Sequence, residues 1–183
     1  MIKRFGIDGP LLLESRRFED VRGFFSEVWK DSWLADLKVD TCFVQDNHSL
    51  SRAAGTIRGL HFQRPPSAQG KLVRCVHGAI FDVAVDLRRG SPTYGRHITA
   101  ELSAENWRQL WIPRGFAHGL CTLTADAEVL YKVDAPYDAA ADAAICWDDP
   151  AIGIEWPLNG SPVLSDKDRV APHLVDFVPP EAW

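Results

Sequence analysis

Between Lys71 and Leu87 the chain reads KLVRCVHGAIFDVAVDL. Leu72 to Val76 is a short apolar run, His77-Gly78 has the composition of a tight turn, and Ala79 to Leu87 follows. In the second run Phe81, Val83, Val85 and Leu87 occupy one parity, and Ile80, Asp82, Ala84 and Asp86 the other. Side chains alternate across a strand, so the alternation predicts a hairpin whose second strand is half-buried. Arg88-Arg89-Gly90-Ser91-Pro92 then ends it as a loop.

The same rhythm extends to both sides. Strands are expected at Phe43 to Gln45, Gly55 to Phe62, His97 to Leu102, Arg108 to Ile112, His118 to Leu123 and Ala127 to Val133, with Pro113-Arg114-Gly115 as a turn between two of them. Helical spacing is confined to Lys30 to Leu37, where Trp33, Leu34 and Leu37 fall on one side over two turns. Asp148 to Trp183 is rich in Pro and Asp and reads as loops packed on the body. Many short strands with little helix predict an all-β jelly-roll sandwich with a loop-rich C-terminal extension.

The composition supports one ordinary domain over 1–183. Of 183 residues, 46% are hydrophobic and 25% charged, enough to form a core. Twenty Lys and Arg against 25 Asp and Glu give a net charge of −5, which argues against nucleic acid as a partner. A local cluster of cations can still hold a small anion against that sign. No apolar run approaches the roughly 20 residues that span a bilayer, and Asp8, Gly9 and Pro10 interrupt any signal-like segment. A cytoplasmic protein without a membrane partner is the expectation. The four cysteines, Cys42, Cys75, Cys121 and Cys146, form no C-x-x-C pair and are expected as buried, reduced thiols.

The glycine motifs of dinucleotide folds, P-loops and serine hydrolases are absent. Six histidines remain, and a histidine begins as a surface or packing residue. Two have unusual neighbours. His61 lies in Arg58-Gly59-Leu60-His61-Phe62-Gln63, on an expected strand. His118 follows the turn Pro113-Arg114-Gly115-Phe116-Ala117-His118, which fits the P-x-G-x-x-H signature of cupins. Metal-binding cupins add a second His and a Glu, whereas Gln63 stands in the second position here. A metal would have to recruit His61, His77 and His118 without a carboxylate, so no metal is expected. What remains is proton transfer, for which a His oriented by a carboxylate is suited. Taken singly, Tyr131 reads as a core or rim tyrosine, Lys71 as a surface cation and Asp168 as a loop charge or cap.

Together these segments resemble the dTDP-4-dehydrorhamnose 3,5-epimerase family, metal-free cupins of L-rhamnose precursor synthesis. The resemblance runs from about Gly6 to Pro172. It rests on ordered blocks: Asp20-Val21-Arg22-Gly23-Phe24-Phe25, Phe43 to Ser49, Ile57 to Gln63, Lys71 to Arg74, Phe81 to Asp86, Gln109 to Pro113, Leu130-Tyr131-Lys132, Trp147 to Pro150 and Leu164 to Asp168.

The resemblance implies that His61 removes a proton beside the C4 ketone of a nucleotide sugar, dTDP-4-dehydro-6-deoxy-D-glucose. It implies that Asp168 holds the tautomer of His61, that Tyr131 returns a proton from the opposite face, and that Lys71 stabilises the enolate oxygen. Arg22, Glu27, Gln45, Asn47, Arg58, His118, Asp142 and Lys167 match substrate-binding positions of the family, and Tyr137 matches the residue that stacks near the base. No cofactor is implied. A homodimer is, with an N-terminal strand exchanged so that Arg22 or Glu27 serves the neighbouring site. Phe62, Pro136 and Asp142 depart from the residues usual there, on the nucleotide side and in a loop.

The chemistry agrees with these roles. A ketone acidifies the hydrogens on both adjacent carbons, and inversion needs a base on one face, an acid on the other and a charge stabiliser. Arg58 and His61 have opposite parity on a regular strand, so placing both in one pocket calls for a bulge near Gly59. The alternatives are a mono-epimerase that inverts only C3 or C5, a non-catalytic sugar-binding cupin, and a metal-dependent cupin.

Overall fold

A computed structural model describes residues 2–33, 39 and 41–183. Among the described residues thirteen strands follow one another: β1 (Ile2–Arg4), β2 (Leu11–Glu14), β3 (Phe18–Asp20), β4 (Gly23–Phe25), β5 (Gln45–Ser51), β6 (Ile57–Gln63), β7 (Lys71–His77), β8 (Ala79–Asp86), β9 (His97–Ser103), β10 (Arg108–Ile112), β11 (Phe116–Thr122), β12 (Ala127–Val133) and β13 (Asp142–Ala144). One sheet has the order β1-β2-β10-β7-β12-β5, the other β13-β6-β11-β8-β9, and β3 and β4 form a separate hairpin. Every strand pairing within these sheets is antiparallel. This is the jelly-roll sandwich that the alternation predicts.

The inward parity of each strand builds the space between the sheets. Val73 and Cys75 of β7, Val129 of β12, Ile80 and Ala84 of β8, and Leu120 of β11 share one buried cluster. At one end the same parity switches from apolar to polar residues, so the sandwich has a closed apolar end and an open polar one.

Strand β8 departs from the half-buried expectation, because both its faces are buried. Ile80 and Ala84 face the space between the sheets, while Val83, Val85 and Leu87 pack beneath Ile145, Ile152 and Leu174 of the C-terminal segment. Alternation marks two faces but cannot show that a distant segment covers the second one. A comparable cover lies on the other sheet, where Trp29, Trp33 and Phe43 pack on Leu11, Leu13, Leu72 and Trp111.

Other boundaries shift. The strand expected at Phe43 to Gln45 runs instead from Gln45 to Ser51, where residues alternate between half-buried and exposed. Strands β1 to β4 and β13 are three or four residues each, too short to show a period, and the sequence did not reveal them. Of the expected helix at Lys30 to Leu37, Ser32 and Trp33 are helical, Lys30 and Asp31 are loop and turn, and 34–37 lie outside the described residues. The C-terminal extension is loop with two single turns, α1 (Asp166–Arg169) and a 3-10 turn at Leu174–Asp176. All four cysteines are free thiols, but only Cys75 and Cys121 are buried; Cys42 is exposed and Cys146 half-buried. Cys42 sits in the connection before β5, outside the sandwich interior. Among the described residues no helix is long and apolar enough to cross a membrane.

The expected bulge is present on β6. Leu120 pairs with Arg58 and His118 with His61, so Gly59 and Leu60 together oppose the single residue Gly119. Gly59 has φ +136°, and a Cβ there would lie 2.5 Å from Gly119 Cα. Only glycine fits so close an approach in that conformation. Gly59→Ala is expected to destabilise the fold by about 2–4 kcal/mol, from left-handed strain and overpacking together. Urea denaturation checks this, and a change within experimental error would show that β6 can relax.

Candidate active site

The open end of the sandwich forms a cavity of about 380 Å³, within the usual range for a small-molecule site. Both sheets contribute. His61 and Gln63 come from β6, Lys71 from β7, Gln45 and Asn47 from β5, and Tyr131 from β12. Tyr137, Asp142 and Lys167 close the rim.

Asp168 reaches the cavity from the far end of the chain. Ser165 caps α1, its hydroxyl accepting from the Asp168 N–H at 3.2 Å, and this turn aims the buried Asp168 carboxylate at β6. His61 Nε2 meets Asp168 Oδ1 at 2.5 Å. Burial alone would raise the Asp168 pKa, but hydrogen bonds from His61, Ser165 and the Gly59 N–H, with the charge of His61, bring it below the usual carboxylate value. An ionised carboxylate only accepts, so Nε2 carries the hydrogen and, in the neutral ring, Nδ1 holds the lone pair. About a third of the His61 side chain is exposed, against 3% for Asp168. The pair is a solvent-reachable base held by a buried carboxylate.

Tyr131 belongs to the opposite sheet. Burial raises its pKa, and the charge of Arg58 only partly offsets this, so the phenol keeps its proton at neutral pH. Lys71 opens β7 on the same parity as Val73 and Cys75, facing the interior. It is buried, and its ammonium makes no hydrogen bond among the described residues. Desolvation lowers its pKa to about 8, countered by the charges of Asp142 and Asp82. The expectation of a surface cation therefore fails, because the switch from apolar to polar residues on the inward parity puts Lys71 inside the mouth of the sandwich.

The other expected residues divide into groups. Gln45 and Asn47 are joined by a hydrogen bond of 2.8 Å, and Gln45 Oε1 accepts from the Tyr137 N–H at 3.1 Å. Tyr137 is exposed. Asp142 pairs with Lys167 at the rim, and the Tyr137 hydroxyl lies 3.5 Å from Asp142. Arg58 donates to Ser51 Oγ at 3.0 Å and its charge reaches Tyr131, which the bulge makes possible. His118 is the cross-strand neighbour of His61 and pairs with Asp82 at 2.6 Å.

Arg22 and Glu27 do not line the cavity. Arg22 lies at the tip of the β3–β4 hairpin bonded to Asp20, and Glu27 is exposed near Lys30. His77 sits at the far end of β7, where its Nδ1 bonds the Asp126 carbonyl at 2.7 Å. Among the described residues no three His, Cys, Asp or Glu side chains converge as a metal site.

Two points went unread in the sequence. Phe62 contributes to the cavity lining, while its ring packs edge-on against Phe177 at 5.2 Å and Trp183 at 5.8 Å. It has the opposite parity to His61 and faces the C-terminal cover. Asp82 is fully buried beside the site. Its signal was available, because a carboxylate on the inward parity of an apolar strand needs a partner.

The family model described as dTDP-4-dehydrorhamnose 3,5-epimerase matches residues 4–176. A dTDP-4-dehydrorhamnose 3,5-epimerase of Sinorhizobium fredii is 58% identical over 166 residues, covering 91% of this chain and 85% of that protein. The crystal structure of a dTDP-4-dehydrorhamnose 3,5-epimerase from Bacillus anthracis with TDP and PPi bound superposes with a TM-score of 0.92 at 50% identity, over 95% of this chain and 99% of the other. A dTDP-6-deoxy-D-glucose-3,5-epimerase from Legionella pneumophila, in complex with dTDP-4-keto-L-rhamnose, gives a TM-score of 0.93 at 42% identity, over 97% and 94% of the two chains.

Proposed function

The chain belongs to the dTDP-4-dehydrorhamnose 3,5-epimerase family and is an isomerase of that kind, and from this premise we propose how its residues divide the reaction. The enzyme converts dTDP-4-dehydro-6-deoxy-D-glucose to dTDP-4-dehydro-L-rhamnose. One observation carries the division of roles: a His–carboxylate pair on one sheet, His61 with Asp168, faces a protonated phenol on the other, Tyr131.

His61 Nδ1 takes the proton from the carbon beside the C4 ketone. The pair of electrons left behind moves onto the C4 oxygen as an enolate, and the Lys71 ammonium balances that charge in a water-poor site. Tyr131 then delivers a proton to the same carbon from the other sheet, which inverts the centre. Solvent then takes the proton from His61 and returns one to Tyr131, and repetition at the second carbon completes the reaction. No electron leaves the sugar, so the residues named suffice.

The nucleotide lies along the rim. Arg58 and Lys167 are the donors for the diphosphate, Tyr137 offers a flat face to the base, and Gln45, Asn47, His118 and Asp142 hold polar groups of the substrate. Arg22 and Glu27 act from a second copy. The support for this homodimer is the exposure of Phe18, Val21, Phe24 and Phe25 on the β3–β4 hairpin beside them, an apolar surface that a partner would cover.

Incubation in D₂O followed by mass spectrometry of the sugar nucleotide tests the assignment. Deuterium is expected at both C3 and C5. Label at a single carbon would mark a mono-epimerase, and no uptake above an enzyme-free control would leave a binding protein.

A further inference from the structure

The mechanism above leaves one buried charge unused. Asp82 lies in the middle of β8 and is fully buried. Its Oδ1 accepts from His118 Nε2 at 2.6 Å, while Oδ2 is buried with no hydrogen-bond partner among the described residues. A buried carboxylate with half its hydrogen-bonding capacity unfilled is costly, and such a group persists where its charge is used.

The parity of the strands shows where that charge acts. Asp82 alternates with Ile80 and Ala84, and Lys71 alternates with Val73 and Cys75; all four apolar residues belong to the cluster between the sheets. Asp82 and Lys71 therefore look into the same interior from facing sheets. The field of Asp82 reaches β7 at two places, raising the pKa of both Lys71 and Cys75.

We infer that Asp82 is a positioning residue of the reaction, fixing the ring of His118 toward the sugar and supplying the inner counter-charge that keeps the Lys71 ammonium protonated. The inference rests on the role of Lys71 given above. Because the carboxylate binds Nε2 of His118, Nδ1 is the ring nitrogen left for substrate. The charged groups acting on Lys71 are Asp142 from β13, Asp82 from β8 and Lys167 from α1, and His61 from β6 and Tyr131 from β12 line the same cavity. Of the two carboxylates, Asp142 sits at the rim and already pairs with Lys167. Asp82 carries no other cation among the described residues, apart from the His118 ring when that is charged.

The enzyme should lose activity as pH rises through about 8, where burial places the Lys71 titration. Asp82→Asn keeps the size of the side chain and removes its charge. It is expected to move the alkaline limb of the kcat–pH profile down by about one pH unit, and to lower kcat at pH 8 by about fivefold, with KM changed less than about threefold. In a Lys71→Arg background the guanidinium does not titrate in this range, so Asp82→Asn should no longer move the limb.

An Asp82→Asn enzyme with the original kcat and limb, beside a Lys71→Arg enzyme that has lost the limb, overturns the role of Asp82 and leaves Lys71 in place. A limb retained by Lys71→Arg overturns the role of Lys71 and the inference with it. Should Asp82→Asn not fold, the side-chain nitrogen signal of Lys71 in the unmodified protein decides. An ammonium at pH 7 is expected, and a neutral amine there overturns the inference.

Discussion

His61→Ala is expected to lower kcat by about 10³- to 10⁴-fold, the upper part of the range for a positioned general base. Among the described residues His118 also combines a free ring nitrogen with a buried carboxylate behind it, Asp82. The His118 side chain is only 11% exposed, however, against 32% for His61. Alanine also strips the buried Asp168 of its main partner, at a cost of about 1–3 kcal/mol. His61→Asn restores an N–H donor to Asp168 and lacks the basic nitrogen, so it separates chemistry from stability. Both variants should lose turnover, and His61→Asn should melt close to the unmodified protein. Deuterium uptake at C3 and C5 should vanish in each. A His61→Asn enzyme with near-native rates would remove His61 from the mechanism.

Tyr131→Phe should leave half of the reaction intact. The ring stays and keeps its packing on the core, so the strand and the cavity survive. The hydroxyl proton is lost, and with it about 10²- to 10³-fold in the rate of net inversion. Proton removal by His61 continues, and the enolate is reprotonated from the face it left. Deuterium should therefore enter the substrate while its configuration is retained. Mass spectrometry measures the label, and the proton couplings of the recovered sugar report the configuration. Inverted product at the normal rate would assign the acid elsewhere. Absence of exchange would place Tyr131 in the first step rather than the last.

The legibility of the fold follows from how locally each feature is encoded. Strands β7 and β8 are long enough for two or more cycles of alternation, so their positions and the turn at His77-Gly78 are readable. The short strands β1 to β4 and β13 hold at most two cycles each, and pairing rather than pattern makes them strands. The site divides in the same way. Lys71 and Tyr131 stand on the inward parity of readable strands. His61 needs the bulge at Gly59 to share a pocket with Arg58, a feature for which two residues of opposite parity were the clue.

Sequence alone determined the class of fold, the family, and the residue types that a proton-transferring sugar isomerase needs. These depend on side-chain chemistry and a period of two, both written residue by residue along the chain. Tertiary structure decided which groups meet and in what medium. His61 and Asp168 are 107 positions apart and bond at 2.5 Å only because α1 closes against β6. Lys71 is a buried cation, and β8 is covered on both faces, because segments far away in sequence exclude water from them. Hydration and electrostatic partners are sums over neighbours in space, so burial and ionisation are settled only when the two sheets and the C-terminal segment have packed together.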